Sequence, residues 1–225
     1  MPYEICQAAQ MTDLAYKNYW ERKKLKASAC PRFTVLRCSG QAVDGEVLAK
    51  IVNAISNKKR LLDLGAGNLE VKKVLRDSGF DGEYETLDVG TEFAHTYTSI
   101  DQIAGHYGAI LLLDVIEHLP LAAGLDLLHK SLALLEPGGV LVVQTPNGRC
   151  VRSPFTSDMT HVQSYNLADL WAYLTALGSN CSGHRVVFDG QASLLSRAEN
   201  LLSRIVVTRM LGLDYADNIL LFARK

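Results

Sequence analysis

Residues 61–68 read Leu-Leu-Asp-Leu-Gly-Ala-Gly-Asn, an apolar run that breaks into a glycine turn just before a helical pattern. This feature constrains the fold most, because a strand feeding a tight glycine loop and then a helix belongs to an α/β layer structure. Such a loop presents backbone N–H groups at a helix N-terminus, where they can hold part of a nucleotide-like ligand. A dinucleotide fingerprint, G-x-G-x-x-G, needs glycine at position 70, and the chain has Glu70. A pyrophosphate would be repelled by that carboxylate, whereas a ligand with a positive centre would not. The loop therefore leans away from NAD.

The rest of the chain sets this loop in a repeating alternation. The pattern predicts a helix over 12–27 carrying Leu14, Tyr16, Tyr19 and Trp20, broken around Pro31, and a second helix over 44–56 with Val47, Leu48, Ile51, Val52 and Ile55 on one face. Strand Arg60–Leu64 leads to a helix over 69–77, then strand Glu83–Leu87 closes on Asp88. A short strand and helix are expected within 96–105. The continuous apolar run 109–113 has the character of a parallel strand buried on both faces, and ends on Asp114. A helix over 121–135 is stopped by Pro137-Gly138-Gly139, and 140–143 forms another buried strand. Asn166 caps a helix over 166–177, strand 186–188 follows, and a helix over 191–210 precedes a closing strand at 219–223.

This rhythm implies a doubly wound α/β fold with a mostly parallel seven-stranded sheet. The expected division is an N-terminal helical cap or lid over 1–41 and a ligand-binding domain over 42–225. Ligands of such sheets lie beyond the carboxyl ends of the strands, and the irregular segment 145–165 belongs to that edge.

With 225 residues, 48% of them apolar, and a formal net charge of −1, the chain suits one domain with a modest appendage. Its charge supplies no general attraction to nucleic acid or anionic membrane. The only basic run, Arg22-Lys23-Lys24-Leu25-Lys26, reads as a solvated helix face. No secretory signal pattern and no membrane-length apolar run are visible, so a cytoplasmic location is expected. The cysteines, Cys6, Cys30, Cys38, Cys150 and Cys181, are scattered without a C-x-x-C pair and read as free thiols.

Asp63, Asp88 and Asp114 each fall at the end of an expected strand, with Glu117 just beyond the third. Any one of them could be a turn or cap residue; together they form an acidic rim. Asp88 lies 21 residues beyond Gly67, close to the spacing at which a carboxylate receives a ribose diol. A nucleoside that bears a cation fits such a rim.

Four motifs carry a family resemblance: Leu62-Asp63-Leu64-Gly65-Ala66-Gly67-Asn68, Leu87-Asp88-Val89, Leu113-Asp114-Val115-Ile116-Glu117-His118-Leu119, and Leu135-Glu136-Pro137-Gly138-Gly139. In order and spacing, over roughly 42–148, the chain resembles class I S-adenosylmethionine-dependent methyltransferases. Ser153-Pro154-Phe155, Asp158-Met159-Thr160-His161-Val162, Tyr165 and the ending 218–225 more loosely resemble methyltransferases of bacterial polysaccharide biosynthesis; related D-x-T-H-V stretches occur in quinone-type O-methyltransferases.

The resemblance implies that Asp63, Gly65, Ala66 and Gly67 hold the methionine part of S-adenosylmethionine, that Asp88 binds the ribose hydroxyls, and that Val89 packs on adenine. Ser99, Ile100 and Asp101 correspond to an adenine-edge motif, and Asp114 and Val115 border the methionine end. A sulfonium is already an activated methyl donor, so the chemistry strictly requires alignment and exclusion of water, and no metal. A sugar hydroxyl acceptor would benefit from a general base, and His161 and His118 are the candidates. Asp158 beside His161 is expected to fix its tautomer, while His118 is expected chiefly to order its neighbours. Tyr16, Tyr19, Trp20, Phe155 and Tyr165 pack in the core or line the acceptor pocket, and Arg149 and Arg152 lie beside the late loop.

The expected function is methylation of an oxygen on a glycan or small-molecule acceptor, with S-adenosylhomocysteine as product. A noncatalytic S-adenosylmethionine-binding module and an NAD-dependent oxidoreductase are the rivals, the second disfavoured by Glu70 and L-x-P-G-G. Nucleic acid is not an expected partner, since no N-P-P-[YF] motif or added basic domain is present. Oligomeric state is left open.

Overall fold

The computed structural model describes residues 16, 18–40, 43–150, 153–188, 206, 208 and 210–225. Its strands are β1 (Thr34–Cys38), β2 (Arg60–Leu64), β3 (Glu83–Leu87), β4 (Tyr107–Leu113), β5 (Leu135–Pro146), β6 (Asn180–Phe188) and β7 (Asn218–Arg224). The α-helices are α1 (Tyr19–Ser28), α2 (Gly45–Ile55), α3 (Glu70–Asp77), α4 (Leu121–Leu134) and α5 (Leu167–Ala176). The strands form one sheet in the order β1-β6-β7-β5-β4-β2-β3. All neighbours are parallel except β7, which runs antiparallel to both β5 and β6.

The apolar runs make sense as central strands because successive side chains serve two cores. Leu62, Leu64, Ile110, Leu112, Leu141 and Val143 pack on one face against Leu125, Leu128, Leu170 and Leu174 of α4 and α5. Leu61, Ala109, Leu111, Val140 and Val142 pack on the other against Val47, Ile51, Ile55 and Leu75 of α2 and α3. With both faces covered, neither residue parity can be polar.

Seven strands are present, but not the expected seven. Thr34–Cys38, assigned from the sequence to the helical cap, pairs in parallel with β6 at the sheet edge. Only Cys38 in it is buried, which leaves little apolar signal to read. The strand expected within 96–105 is reduced to a single Leu87–Tyr97 bridge and a 3₁₀ turn at Ile100–Gln102. There the hydroxyls of Thr96 and Thr86 accept from each other's backbone N–H at 3.2 Å, replacing ladder bonds. The helix over 121–135 stops at Leu134, and β5 already begins at Leu135, with Pro137-Gly138-Gly139 as an irregularity in its pairing with β4. Of the helix expected over 12–27, α1 is the described part. The helix over 191–210 lies, except for residues 206, 208 and 210, outside the described residues, as do Cys6, Leu14 and Arg152.

From β2 the chain passes to β3 on one side and then crosses to β4 on the other. In open α/β sheets ligands bind at such a switch point, here the carboxyl ends of β2 and β4. Among the described residues no helix is long and apolar enough to cross a membrane. The basic run lies on α1, where Lys26 pairs with Asp169 at 2.9 Å and no residue is buried.

Candidate active site

The glycine loop after β2 is latched to the end of β3: the N–H groups of Gly65 and Ala66 both donate to the Leu87 carbonyl, at 2.8 and 3.1 Å. Gly65 takes φ +77, and a Cβ there would stand 2.5 Å from Val115 Cγ2, so the loop and the end of β4 touch only because that side chain is missing. Gly67 also has positive φ, and a Cβ on it would meet nothing within 4 Å. The space above the loop is therefore open to a ligand.

Asp88 is drawn into this loop. Its Oδ2 accepts from Gly67 N–H at 2.8 Å and its Oδ1 from Gly90 N–H at 2.7 Å. Burial opposes its charge, but the N–H groups of Gly90 and Gly67, with His95 nearby, outweigh it and hold the carboxyl below the usual range. Each oxygen keeps a second acceptor direction for a diol. Val89 beside it is 83% exposed, free to lie against a flat ligand. Tyr97 pairs with Leu87 in parallel, and two residues further on Ser99 caps the turn containing Ile100 and Asp101.

Asp63 differs from the expectation of a carboxylate standing on the rim. It lies one residue inside β2, 2% exposed, and accepts from the Tyr84 hydroxyl at 2.7 Å. Burial raises its pKa to about 6 against the lowering effect of that hydrogen bond, and the charge of Asp88 adds to the rise. It supports the loop from beneath.

Asp114 stands at the end of β4 with φ +55, a conformation uncommon for a residue with a side chain and held here by its surroundings. Gln144 Nε2 donates to its Oδ2 at 3.0 Å and Asn218 Nδ2 to its Oδ1 at 3.3 Å. Because β7 is antiparallel, its first residue, Asn218, arrives at the same edge as the ends of the parallel strands. Burial raises the Asp114 pKa, while the Gln144 bond and the charges of His161 and His118 oppose the rise.

Beyond Val115 the chain makes a 3₁₀ turn at Ile116–His118. Glu117 is fully buried; its Oε2 accepts from Thr145 Oγ1 at 2.9 Å, and its Oε1 is buried with no hydrogen-bond partner. Burial, then the charge of Asp114, pushes its pKa up to about 7. The Glu117 carbonyl accepts from the N–H groups of Val162 and Gln163 at 2.8 and 3.0 Å, stitching the late loop to this turn. The two histidines consequently meet: the His118 and His161 rings are 4.6 Å apart, and Phe155 stacks on His161 at 5.5 Å.

Asp158 does not orient His161 as the sequence suggested. It accepts from Thr160 N–H at 2.8 Å and Thr160 Oγ1 at 2.7 Å, and Thr160 Oγ1 in turn meets His118 Nδ1 at 2.9 Å. His161 is oriented instead by the Phe155 carbonyl, 3.0 Å from its Nδ1. A carbonyl can only accept, so His161 Nδ1 carries the proton; the threonine hydroxyl donates to Asp158, so it must accept from His118 Nδ1. Both rings therefore keep their lone pair on Nε2. Glu117, His118 and His161 each offer a ligand atom, all within 4.8 Å of one another. The sequence reading placed Glu117 on the acidic rim and missed this grouping; the adjacent E-H pair and the later D-x-T-H were its visible signal.

Next to this turn lies a cleft of about 370 Å³ whose walls include Tyr16, Tyr19, Leu121, Gln163, Tyr165 and Tyr173. The hydroxyls of Tyr165 and Tyr173 are buried without hydrogen-bond partners. Of the other aromatic candidates, Trp20 is 80% exposed and Phe155 serves His161. Arg149 is exposed, its N–H accepted by Asn147 Oδ1.

The rim suits S-adenosylmethionine: an open glycine cradle, an ionised diol acceptor beside it, and the Asp114 carboxyl at the neighbouring strand end. A methyltransferase-domain family model matches residues 41–195, more than half of the chain. No curated protein matches significantly. Among solved structures, a SAM-dependent methyltransferase from Archaeoglobus fulgidus is similar with a TM-score of 0.58 at 16% identity, over 91% of this chain and 94% of that one. The Burkholderia thailandensis 1,6-didemethyltoxoflavin-N1-methyltransferase, bound to 1,6-didemethyltoxoflavin and S-adenosylhomocysteine, gives 0.53 at 15% identity over 100% and 90%. The plantazolicin methyltransferase BamL, in complex with a triazolic desmethylPZN analog and S-adenosylhomocysteine, gives 0.52 at 10% identity over 95% and 90%. At such identities these likenesses establish the fold, and the family match goes further: the chain belongs to the methyltransferase-domain family, enzymes that take their methyl group from S-adenosylmethionine.

Proposed function

We propose that this methyltransferase methylates an oxygen of a glycan or another small molecule, with the acceptor approaching across the His118–His161 face. The observation that carries this reading is the histidine pair at the donor crevice, each ring held by its Nδ1 and left with an Nε2 lone pair. A hydroxyl is a poor nucleophile at neutral pH, and a base within hydrogen-bond reach is what its methylation needs.

The methyl donor supplies a sulfonium whose C–S bond breaks, with its electron pair returning to sulfur, as the acceptor oxygen bonds to the methyl carbon. The chain supplies position and proton transfer. Asp88 binds the ribose diol through charge-assisted bonds, and Asp63, Gly65, Ala66 and Gly67 form the floor for the methionine part. Val89, Ser99 and Ile100 border the adenine. Asp114 and Val115 separate donor from acceptor, and His161 Nε2 takes the hydroxyl proton. His118, held through Thr160 by Asp158, packs against His161 and keeps it in place. The tyrosine-walled cleft receives the remainder of the acceptor, whose ring faces suit aromatic walls. A role in polysaccharide assembly and a cytoplasmic setting fit such an acceptor, and Tyr16 with Tyr19 of α1 forms part of the cleft that would receive it.

The test is methyl transfer from labelled S-adenosylmethionine to sugars and to phenols, alongside calorimetry with S-adenosylhomocysteine. His161→Ala should lose turnover and keep S-adenosylhomocysteine binding. Normal turnover in that variant removes His161 as the base; tight S-adenosylhomocysteine binding with no transfer to any acceptor returns the chain to a noncatalytic binding module.

A further inference from the structure

We propose that Glu117, His118 and His161 form a site for one divalent transition-metal cation, whose open positions take the acceptor oxygen. The acceptor's part in this rests on the methyl-transfer reading; the binding of the cation does not.

Three electron-pair donors meet here. Their ligand atoms lie within 4.8 Å of one another. The hydrogen bonds to Thr160 and to the Phe155 carbonyl protonate both histidines on Nδ1 and leave Nε2 as an acceptor. Glu117 is fully buried, and its Oε1 has no hydrogen-bond partner. An oxygen left unsatisfied in this way keeps the full cost of its removal from water, the more so when it is charged. A cation satisfies all three groups at once.

The surrounding bonds have the form expected around metal ligands. His118 is backed by Thr160 and Asp158, His161 by a backbone carbonyl, and Glu117 by Thr145 on its other oxygen. Such outer partners set the tautomer and aim the ring of a ligating histidine. Three protein ligands leave coordination positions open, as in catalytic rather than structural sites. Two imidazoles with one carboxylate suit Zn²⁺, Co²⁺, Mn²⁺ or Fe²⁺, whereas Mg²⁺ and Ca²⁺ favour oxygen ligands. Bonds of about 2.1 Å require the three side chains to draw together by roughly 1–2 Å on binding. With the cation in place, His161 Nε2 serves as a ligand and no longer takes the proton: the metal lowers the pKa of the acceptor hydroxyl, whose proton passes to water as its oxygen bonds to the methyl carbon and the C–S electron pair returns to sulfur. This goes beyond the metal-free chemistry expected from the sequence.

The experiment titrates chelator-treated full-length protein with Co²⁺, reading visible absorption and calorimetric stoichiometry, with S-adenosylhomocysteine binding measured in parallel. One Co²⁺ per chain is expected, weakened about 100-fold in His118→Ala and in His161→Ala, and at least about tenfold in Glu117→Gln. Thr160→Val keeps every ligand and alters only an exposed side chain, so it should fold; its Co²⁺ affinity should fall about tenfold through a loosened His118. Wild-type protein that binds S-adenosylhomocysteine but no Co²⁺ overturns the metal site and leaves the methyltransferase reading standing. Co²⁺ affinity unchanged across all four variants overturns it too, since the cation then sits elsewhere. Specific Co²⁺ binding without any S-adenosylhomocysteine binding upholds the metal site and counts against the methyl-transfer reading.

Discussion

The donor rim and the histidine face stand at neighbouring strand ends, yet they are held by different means. At the rim, backbone N–H groups do the holding: Gly65 and Ala66 on Leu87, Gly67 and Gly90 on Asp88. Except for Gly90, the partners lie 21 or 22 residues apart, at the ends of the adjacent strands β2 and β3, within one strand-helix-strand unit. On the histidine face the Thr160 hydroxyl accepts from His118, 42 residues away, and the Val162 and Gln163 N–H groups of the late loop donate to the Glu117 carbonyl, so one loop carries the whole arrangement. The difference matters for the proposed chemistry: in that reading the first arrangement holds the donor shared by the family, whereas the second can change with a single loop and so tune the acceptor.

Breaking one side should leave the other intact. The largest effect is expected for His161→Ala, a loss of about 10²–10⁴ in kcat with S-adenosylhomocysteine affinity unchanged, read by single-turnover kinetics and calorimetry. Asp88→Asn should do the reverse: S-adenosylhomocysteine binding about 10- to 100-fold weaker, from the loss of charge-assisted bonds, with Co²⁺ affinity unaltered. Asp63 sharpens the comparison through pH. Its folded pKa, about 6, lies above its ordinary 3.8, so the folded protein holds that proton more tightly. The associated stability is fully present below about pH 4 and is lost as pH rises through about 6. Asp63→Asn should remove about 3 kcal/mol of that decline in chemical-denaturation curves across this window, an order-of-magnitude figure from the size of the shift. The smallest effect belongs to Gly124→Ala, whose added Cβ would stand 2.5 Å from the Tyr165 hydroxyl oxygen. Since Tyr165 lines the cleft, acceptor KM should rise about threefold if the ring swings aside at under 1 kcal/mol, with no change in donor affinity.

The donor rim was largely readable in advance because its parts follow strand ends. Gly65, Gly67, Asp88 and Asp114 follow apolar runs and each lies at the expected edge, while their roles toward the donor are what the family resemblance implies. Asp63 was harder, since a residue one position earlier in the strand points into the sheet layer and finds Tyr84, a partner 21 residues away. On the other side, His161 was singled out from its loop, but its partner was not: Asp158, three residues off, turns to Thr160 and thereby to His118. Spacing says nothing about which way a loop carboxylate turns. The edge strand Thr34–Cys38 escaped for a related reason, its half-exposed residues giving no two-sided apolar run.

Local order and periodicity were enough to specify the alternating strands, the central burial of 109–113 and 140–143, and a glycine loop suited to a cationic nucleoside, because these depend on backbone geometry and on which residues can leave water. The sheet order, the arrival of Asn218 beside Asp114, and the meeting of Glu117, His118 and His161 were decided by tertiary structure. They arise where β7 runs backwards into the sheet and where two loop N–H groups settle on the Glu117 carbonyl, contacts whose partners lie far apart in the chain and become neighbours only when the cores close.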